Sequence, residues 1–155
     1  MRRPIWWTDF PAPEYDSIDP NRTIAILPIA AVEQHGPHLP VGVDSILNRG
    51  CIDLLIERAP ADLDIRILPV PQGGKSNEHI WARGTVTMTA HTLLDSWFEL
   101  GQSVSRAGIK KLVFVNSHGG NEEIMGIVAR ELRVREQMLV VKTGWTRFQP
   151  PDGML

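Results

Sequence analysis

Four of the five histidines lie in three short polar stretches, together with carboxylates, serine and glycine. The candidate residues of the three stretches are, in order, Glu33, His35, His38 and Asp44; Ser76, Glu78 and His79; and Asn116, His118, Gly119, Gly120 and Asn121. Mixed imidazole and carboxylate donors suit Zn²⁺, Mn²⁺ or Fe²⁺, and one aspartate can bridge two such ions. This composition predicts a hydrolase that uses two divalent ions.

The first stretch is the most informative of the three. Glu33 and His35 are two residues apart, so an extended backbone directs both side chains to the same side. Asp44 follows at the start of a predicted helix, and the intervening glycines and prolines could fold it back onto the same site. An aspartate in that place could equally be a helix N-cap. Both interpretations of Asp44 stay open on the sequence alone.

The third stretch follows a predicted buried strand. His118 leaves the end of that strand, where a neutral imidazole can face the same cleft as the first stretch. A single histidine there is more often structural, but the convergence of several ligand types favours a ligand. Gly119 and Gly120 permit close backbone approach, which also serves plain tight packing, and Asn121 is a good helix N-cap. The N–H groups of this turn could hold an anionic or carbonyl oxygen.

The second stretch lies in a Gly-rich loop. Ser76, Glu78 and His79 could close over a substrate as hydrogen-bonding groups, although a solvated polar loop explains them equally well. Ser117 adjoins His118, but neighbouring residues near a strand end point apart, which argues against a Ser-His pair.

Strands and helices alternate along the chain. Strands are predicted at residues 23–29, 65–70, 112–116 and 138–143, with a short β-type piece at 85–88. Three helices should bury these apolar side chains: Leu47, Cys51, Leu54 and Leu55; Leu93, Leu94, Trp97, Phe98 and Val104; and, over about 122–135, Ile124, Ile127, Val128 and Leu132. The alternation predicts an α/β fold with a mostly parallel sheet covered on both faces. The three polar stretches then lie at the carboxyl ends of strands, where such sheets bind ligands.

The length of 155 residues suits one domain. Residues 1–22 contain four prolines and no apolar period, so we expect an N-terminal arm there, anchored by Trp6 and Trp7 on the surface or on a neighbour. Residues 23–155 should form the α/β domain. The chain ends without a closing helix, so we expect the domain to be short at its C-terminus.

Composition narrows the possible partners and location. Hydrophobic residues make up 43% and charged residues 22% of the chain, as in globular proteins. The formal net charge of −2 argues against nucleic acid and membrane surfaces as partners. One cysteine and no signal peptide predict a cytoplasmic protein without an internal disulfide.

Three motifs together resemble the creatininase (creatinine amidohydrolase) family. They are LPIAAVEQHGPHLPVGVDS, GGKSNEH followed by RGTVTM, and VFVNSHGGNEE, and the resemblance runs from about residue 23 to 143. It implies a three-layer α/β/α fold, a divalent metal pair, a small-molecule amide substrate and a homo-oligomer, a hexamer. Carried onto matching positions, the implied metal ligands are Glu33, His35, Asp44 as the bridge, and His118. The implied substrate-binding residues are Ser76, Glu78, Gly119, Gly120 and Asn121.

Two departures from the family pattern affect the chemistry. Creatininase itself has a glutamate two residues after the histidine that matches His118, where this chain has Gly120. HGGN-type relatives take the remaining carboxylate from a C-terminal segment resembling HAGExETS, which this sequence does not contain. Glu122 could substitute for it, or could only stabilise the helix dipole. Glu122 and His79 are the candidates for catalytic proton transfer.

The resemblance and the residues together predict a metal-dependent amidohydrolase. A metal-activated water would cleave an amide C–N bond, in a cyclic amide such as creatinine or in a formamide. Relatives also include an enzyme acting on a peptide precursor of a redox cofactor. The alternative is a metal-binding but catalytically weak subunit or truncated family member that stabilises or regulates a full-length relative. A metal-free ligand-binding α/β domain is a third hypothesis.

Overall fold

The structure is a computed structural model that describes residues 5–71 and 73–147. Its strands are β1 (Ile24–Ile29), β2 (Ile65–Ile67), β3 (Lys111–Asn116) and β4 (Leu139–Gly144), and its helices are α1 (Val43–Arg58), α2 (Ala90–Arg106) and α3 (Glu122–Glu136). The four strands form one parallel sheet in the order β2-β1-β3-β4. No helix of the described residues is long and apolar enough to cross a membrane. The residues at 1–4, 72 and 148–155, which belong to the predicted arm, loop and C-terminal end, lie outside this description.

Helices cover both faces of the sheet, because side chains alternate along each strand. On one face, α2 and α3 bury Leu27 of β1 and Phe114 of β3, with Trp97 of α2 in the same core cluster. On the other face, Ile26 and Ile67 pack against Ile52 of α1. The predicted three-layer α/β/α fold is therefore confirmed.

Helix α1 does not bury the side chains that the sequence pattern selected. Leu47 is 57% and Leu54 49% exposed, whereas Asp44, Asn48 and Ile52 are buried. The amide of Asn48 donates to the carbonyl groups at Ile29 (2.9 Å) and Val115 (3.1 Å), so polar groups at the strand ends take the place of apolar partners. The prediction for the Leu47 and Leu54 face was wrong.

Three further features differ from the sequence prediction. The second strand stops at Ile67 rather than at 70, because prolines follow at 69 and 71 and proline has no N–H for the ladder. Residues 85–88 form only isolated bridges, from Val86 to Val32 and from Thr87 to Gly74. In α3, Ile127 is 52% exposed and Met125 is buried in its place.

The described part of the predicted arm packs on its own sheet. Ile5 is buried, and its carbonyl accepts the N–H of Ile67 at 2.9 Å. Trp6 forms an isolated parallel bridge to Ile67, and Trp7 packs against the core while its carbonyl accepts the Tyr15 hydroxyl at 2.8 Å. The arm therefore covers the edge of β2. Its separation from the domain at residue 22 stays a prediction.

The strand order determines where a ligand can bind. From β1 the chain passes through α1 to β2 on one side, and from β3 it passes through α3 to β4 on the other side. The connections that follow β1 and β3 therefore run to opposite sides of the sheet. The carboxyl ends of these two strands border the crevice in which open α/β sheets bind ligands. The first and third polar stretches follow these two strands.

Candidate metal centre

His118 stands at the centre of the crevice. Its Nδ1 atom lies 3.0 Å from Asp44 Oδ2 and 3.5 Å from Glu33 Oε1. Its Nε2 atom lies 2.9 Å from the carbonyl oxygen of Lys75, which can only accept, so Nε2 carries a hydrogen. The ring is thereby fixed with Nδ1 facing the carboxylates, which is the arrangement that a metal-binding histidine needs.

His35 is held in the same manner from the other side. Its Nδ1 atom lies 3.0 Å from the carbonyl oxygen of Glu33, and its Nε2 atom lies 3.4 Å from Asp44 Oδ1. Asp44 therefore presents one carboxylate oxygen to each of two imidazoles, as expected of a bridging ligand. The N-cap of α1 is Gly42, so Asp44 lies inside the first helical turn. The interpretation of Asp44 as an N-cap was wrong.

The donor atoms fall into two overlapping groups. Glu33, His35 and Asp44 form one, and Glu33, Glu78 and His118 form the other, with the donor atoms of each group within 4.8 Å of one another. Glu33 is buried, and its Oε2 atom has no hydrogen-bond partner within the described ranges. An unpaired buried carboxylate oxygen is costly, and a divalent cation between the two groups would satisfy it. The residues therefore fit a pair of divalent ions.

The electrostatics of the crevice favour positive charge. Burial lowers the pKa of His118, but the hydrogen bond to Asp44, the Lys75 carbonyl and the charge of Glu33 outweigh burial. The net result is a pKa raised above 6.5, the usual value for histidine. A site that stabilises an imidazolium also stabilises a bound cation.

The predicted loop residues also reach the centre. Ser76 is fully buried, with its Oγ atom 3.5 Å from His118 Nε2. Gln34 accepts the Gly36 N–H at 3.0 Å through Oε1, which directs its Nε2 hydrogens to His79 Nδ1 at 3.1 Å. His79 therefore carries its own hydrogen on Nε2, 3.9 Å from Glu33 Oε1. The loop brings an N–H group to the edge of the donor groups.

The side chain of Asn121 holds the turn after His118 in place, a role that the sequence did not reveal. Asn121 is fully buried at the N-cap position of α3, yet it makes no side-chain cap hydrogen bond. Its Oδ1 atom accepts the Lys75 N–H at 2.9 Å, and its Nδ2 group donates to the Ala30 carbonyl at 3.1 Å and to Asn116 Oδ1 at 3.2 Å. Asn121 thus ties three segments around the crevice.

Ser117 and Asn48 were likewise not predicted as supports of the site. The Ser117 hydroxyl donates to the Asp44 carbonyl at 2.8 Å, and Asn48 Nδ2 lies 3.2 Å from Ser117 Oγ. These bonds position the first turn of α1, which carries Asp44. One signal in the sequence could have indicated this support: polar residues stand at the start of α1, a helix whose other residues are largely apolar. The Ser117 side chain contacts α1 and not His118, in line with the prediction that the two do not pair.

Glu122 belongs to neither of the two donor groups found among the described residues. Its Oε2 atom lies 3.1 Å from Lys142 Nζ and 3.6 Å from Arg147 Nη2, and its Oε1 atom accepts Asn116 Nδ2 at 3.3 Å. Partial burial raises its pKa, but the hydrogen bonds from Lys142 and Asn116 outweigh burial and lower it. The carboxylate therefore serves as the partner of basic groups here, and its catalytic role stays a prediction.

The family model described as creatinine amidohydrolase matches residues 8–154. The chain belongs to the creatininase family. A mycofactocin precursor peptide peptidase of Mycolicibacterium smegmatis is 34% identical over 132 residues, covering 84% of this chain and 51% of that protein. A creatinine amidohydrolase of Pseudomonas putida is 28% identical over 140 residues, covering 83% and 52%. The chain thus spans about half the length of the curated relatives it matches.

Solved creatininase structures share the fold. A creatinine amidohydrolase (creatininase) crystal structure has a TM-score of 0.74 at 25% identity, covering 95% of this chain and 60% of that one. A manganese form of creatininase has a TM-score of 0.77 at 23% identity, covering 96% and 62%. A mutant creatininase is described as a Zn-Zn type. Zinc and manganese, the two metals of these relatives, are both among the ions expected from the donor set.

Proposed function

We propose that this creatininase-family chain carries a two-ion amidohydrolase site that cleaves an amide C–N bond. The observation that carries the proposal is the placement of Asp44, whose two carboxylate oxygens face two different imidazoles, His35 and His118. Glu33, His35, Asp44 and His118 would hold the ions. When bound, such ions polarise an amide carbonyl and lower the pKa of a water molecule to near neutrality.

The residues around the donors would position the substrate and move the proton. Amide cleavage leaves a nitrogen that departs readily only when it is protonated. His79 carries its hydrogen on Nε2 and lies at the edge of the donor groups, so we assign it the proton transfer to that nitrogen. It would give up the Nε2 hydrogen while Nδ1, released by the Gln34 amide, takes a proton from water, so that the ring stays neutral. Glu122 is bound to Lys142 and would need to leave this partner first. The turn Gly119–Asn121 would form the floor against which the amide lies, with the exposed Gly119 nearest to it and the fully buried Ser76 and Asn121 supporting it from beneath.

The relatives favour a peptide amide as the substrate. The peptidase of M. smegmatis is 34% identical to this chain, and the creatinine amidohydrolase of P. putida is 28% identical. We therefore place a peptide amide first, and a cyclic amide such as creatinine, or a formamide, second. All three present a planar C–N amide to the same donor set.

The test is turnover of a substrate panel by the chain loaded with Zn²⁺ or Mn²⁺. Short peptides, creatinine and formamides are incubated with the protein, and amine release is followed by chromatography. We expect metal-dependent hydrolysis of one class, lost in Asp44→Asn and retained in Glu99→Gln, which removes one charge from the exposed face of α2. Hydrolysis that continues unchanged in Asp44→Asn would refute the site. Metal binding without turnover of any class would support the alternative of a catalytically weak subunit.

A further inference from the structure

Trp81 is an exposed aromatic side chain at the rim of the crevice. It is 72% exposed, although tryptophan side chains usually bury most of their surface. Its ring lies 6.5 Å, centroid to centroid, from the ring of His79, and the two rings are inclined at 66° in an edge arrangement. His79 Nε2 is in turn 3.9 Å from Glu33 Oε1. The indole therefore stands one ring away from the donor groups.

Two turns hold the backbone on either side of Trp81. The Ala82 N–H donates to the His79 carbonyl at 3.0 Å, and the Thr85 N–H donates to the Ala82 carbonyl at 3.3 Å. Gly84 in the second turn has a φ of +97°, a conformation that favours glycine. Because Trp81 stands within the first turn, its exposed ring is presented by a hydrogen-bonded backbone. A ligand that covers the ring therefore orders little further chain, which lowers the cost of binding.

Further apolar surface lies beside this loop. Val41 and Val86 are both exposed apolar side chains. The Val86 N–H donates to the Val32 carbonyl at 2.8 Å, and the Val41 carbonyl accepts the N–H of the next residue, Glu33, at 2.9 Å. A Cβ at Gly84 would lie 3.4 Å from Val41 Cγ1, so the loop lies against the segment that contains Val41. Apolar surface thus borders the crevice on this side.

His79 determines which part of a substrate meets Trp81. In the mechanism proposed above, His79 protonates the departing nitrogen, so the residue that carries this nitrogen must lie on the His79 side of the crevice. Since the two rings are only 6.5 Å apart, the side chain of that residue lies within reach of the indole. An exposed aromatic face binds apolar and aromatic side chains best.

We infer that Trp81 is a specificity-determining residue, which binds a large apolar side chain on the residue whose amide nitrogen departs. The inference rests on the proposed function and narrows its substrate class to peptides with such a residue after the scissile bond. Creatinine has no side chain at the corresponding place and would leave the indole uncovered.

The experiment compares two short peptides that differ at this one residue. One has phenylalanine and the other glycine after the scissile bond, and mass spectrometry identifies the products. The values of kcat and KM are measured with Zn²⁺ or Mn²⁺ for wild type, Trp81→Ala, Trp81→Phe and the control Val134→Ala. Val134 is an exposed apolar side chain near the end of α3 that is remote from the crevice.

We expect wild type and Val134→Ala to prefer the phenylalanine peptide. In Trp81→Ala, kcat/KM for this peptide should fall by about 10-fold or more, mainly through a higher KM, because an apolar contact is lost. The same constants for the glycine peptide should not change. Trp81→Phe keeps an aromatic ring and should retain most of the preference.

Three results would overturn the inference. An equal fall of kcat for both peptides in Trp81→Ala would show that the indole acts through His79 and not on the substrate. Unchanged constants for both peptides would show that the indole does not contact the substrate. Loss of oligomers in light scattering, with the preference for phenylalanine intact, would assign the indole to a contact between copies of the chain. Thermal unfolding shows whether each variant is folded.

A binding measurement separates this inference from the proposed function. Protein labelled with fluorotryptophan is titrated with the dipeptides Phe-Gly and Gly-Gly, which carry the free amine of a product. The fluorine NMR signal of Trp81 is the one that disappears in Trp81→Phe. If wild type hydrolyses neither peptide, the proposed peptide substrate is wrong. A Trp81 signal that shifts with Phe-Gly and not with Gly-Gly would then still support binding of the apolar side chain, and a signal that shifts with neither would overturn it.

Discussion

Replacing Asn121 by serine separates two roles for this buried side chain. Serine is as good an N-cap as asparagine, so a capping role predicts almost no change in stability. The structure instead gives Asn121 three hydrogen bonds, to the Lys75 N–H, the Ala30 carbonyl and Asn116 Oδ1. The serine hydroxyl is too short to reach these three groups together. Asn121→Ser should therefore destabilise the chain clearly.

The magnitude follows from the three bonds. Each net hydrogen bond contributes about 0.5–1.5 kcal/mol, and a buried partner left without a bond adds to the loss. Asn121 and Ala30 are both buried, so water cannot readily replace the amide. We expect the free energy of unfolding to fall by about 2–5 kcal/mol, a large share of the ~5–15 kcal/mol typical of a domain.

Urea denaturation of the apo protein, followed by tryptophan fluorescence and circular dichroism, gives this free energy. Asn77→Ser is the matched control, because Asn77 is exposed in the loop that Asn121 holds. The control should stay within about 0.5 kcal/mol of wild type. The Zn²⁺ affinity of Asn121→Ser should fall too, since the Lys75 loop and the turn after His118 lose their common anchor. An Asn121→Ser variant as stable as the control would show that the three hydrogen bonds of this side chain do not contribute to stability.

Three other predictions concern acid stability, helix packing and assembly. Because folding lowers the pKa of Glu122, this carboxylate stabilises the chain at a pH above the pKa of the unfolded carboxyl, and the stabilisation is lost as the pH falls through the lower folded pKa. In urea titrations over a pH series, Glu122→Gln should therefore show a smaller loss of stability in acid than wild type. An equal loss in both chains would contradict the prediction. Gly101→Ala should cost about 1–3 kcal/mol, because its Cβ would lie 2.3 Å from Leu132 Cδ1. Gly126→Ala, whose nearest neighbour atom is 3.7 Å away, should instead gain about 0.5–1 kcal/mol, and thermal unfolding compares the two. Light scattering should show self-association that weakens in Leu47→Lys, since Leu47 is an exposed apolar side chain on α1; a strict monomer at high concentration would be the contrary result.

The sheet and the grouping of the donor residues were predictable from the sequence. Apolar runs fix β1 and β3, and in a parallel sheet the residues after neighbouring strands must meet at one edge. Glu33 and His118 follow these two strands, and they lie within 3.5 Å of each other. The sequence pattern did not predict how closely the polar stretch after β2 approaches the turn after His118, because this approach depends on the absence of a side chain at Gly120.

The contacts that the sequence pattern did not reveal have a common physical origin. The prediction of the buried face of α1 was wrong because the apolar pattern directs apolar residues inward, whereas Asn48 is buried and binds strand carbonyl groups. The residues next to Asn121 in sequence indicate only a helix N-cap, whereas its hydrogen-bond partners at Ala30 and Lys75 lie in distant segments. Glu122 pairs with Lys142 on β4, a contact that exists only once the sheet register is known. Long-range polar contacts leave no local pattern.

The division of the donors between β1 and β3 also orders events during synthesis. Glu33, His35 and Asp44 emerge from the ribosome well before His118. Until β3 emerges, one edge of β1 has no strand to pair with, and the carboxylates of Glu33 and Asp44 still face water. The complete donor set can therefore form only after β3 docks in the middle of the sheet. Tight ion binding by a nascent chain would mark the moment at which that central pairing is complete.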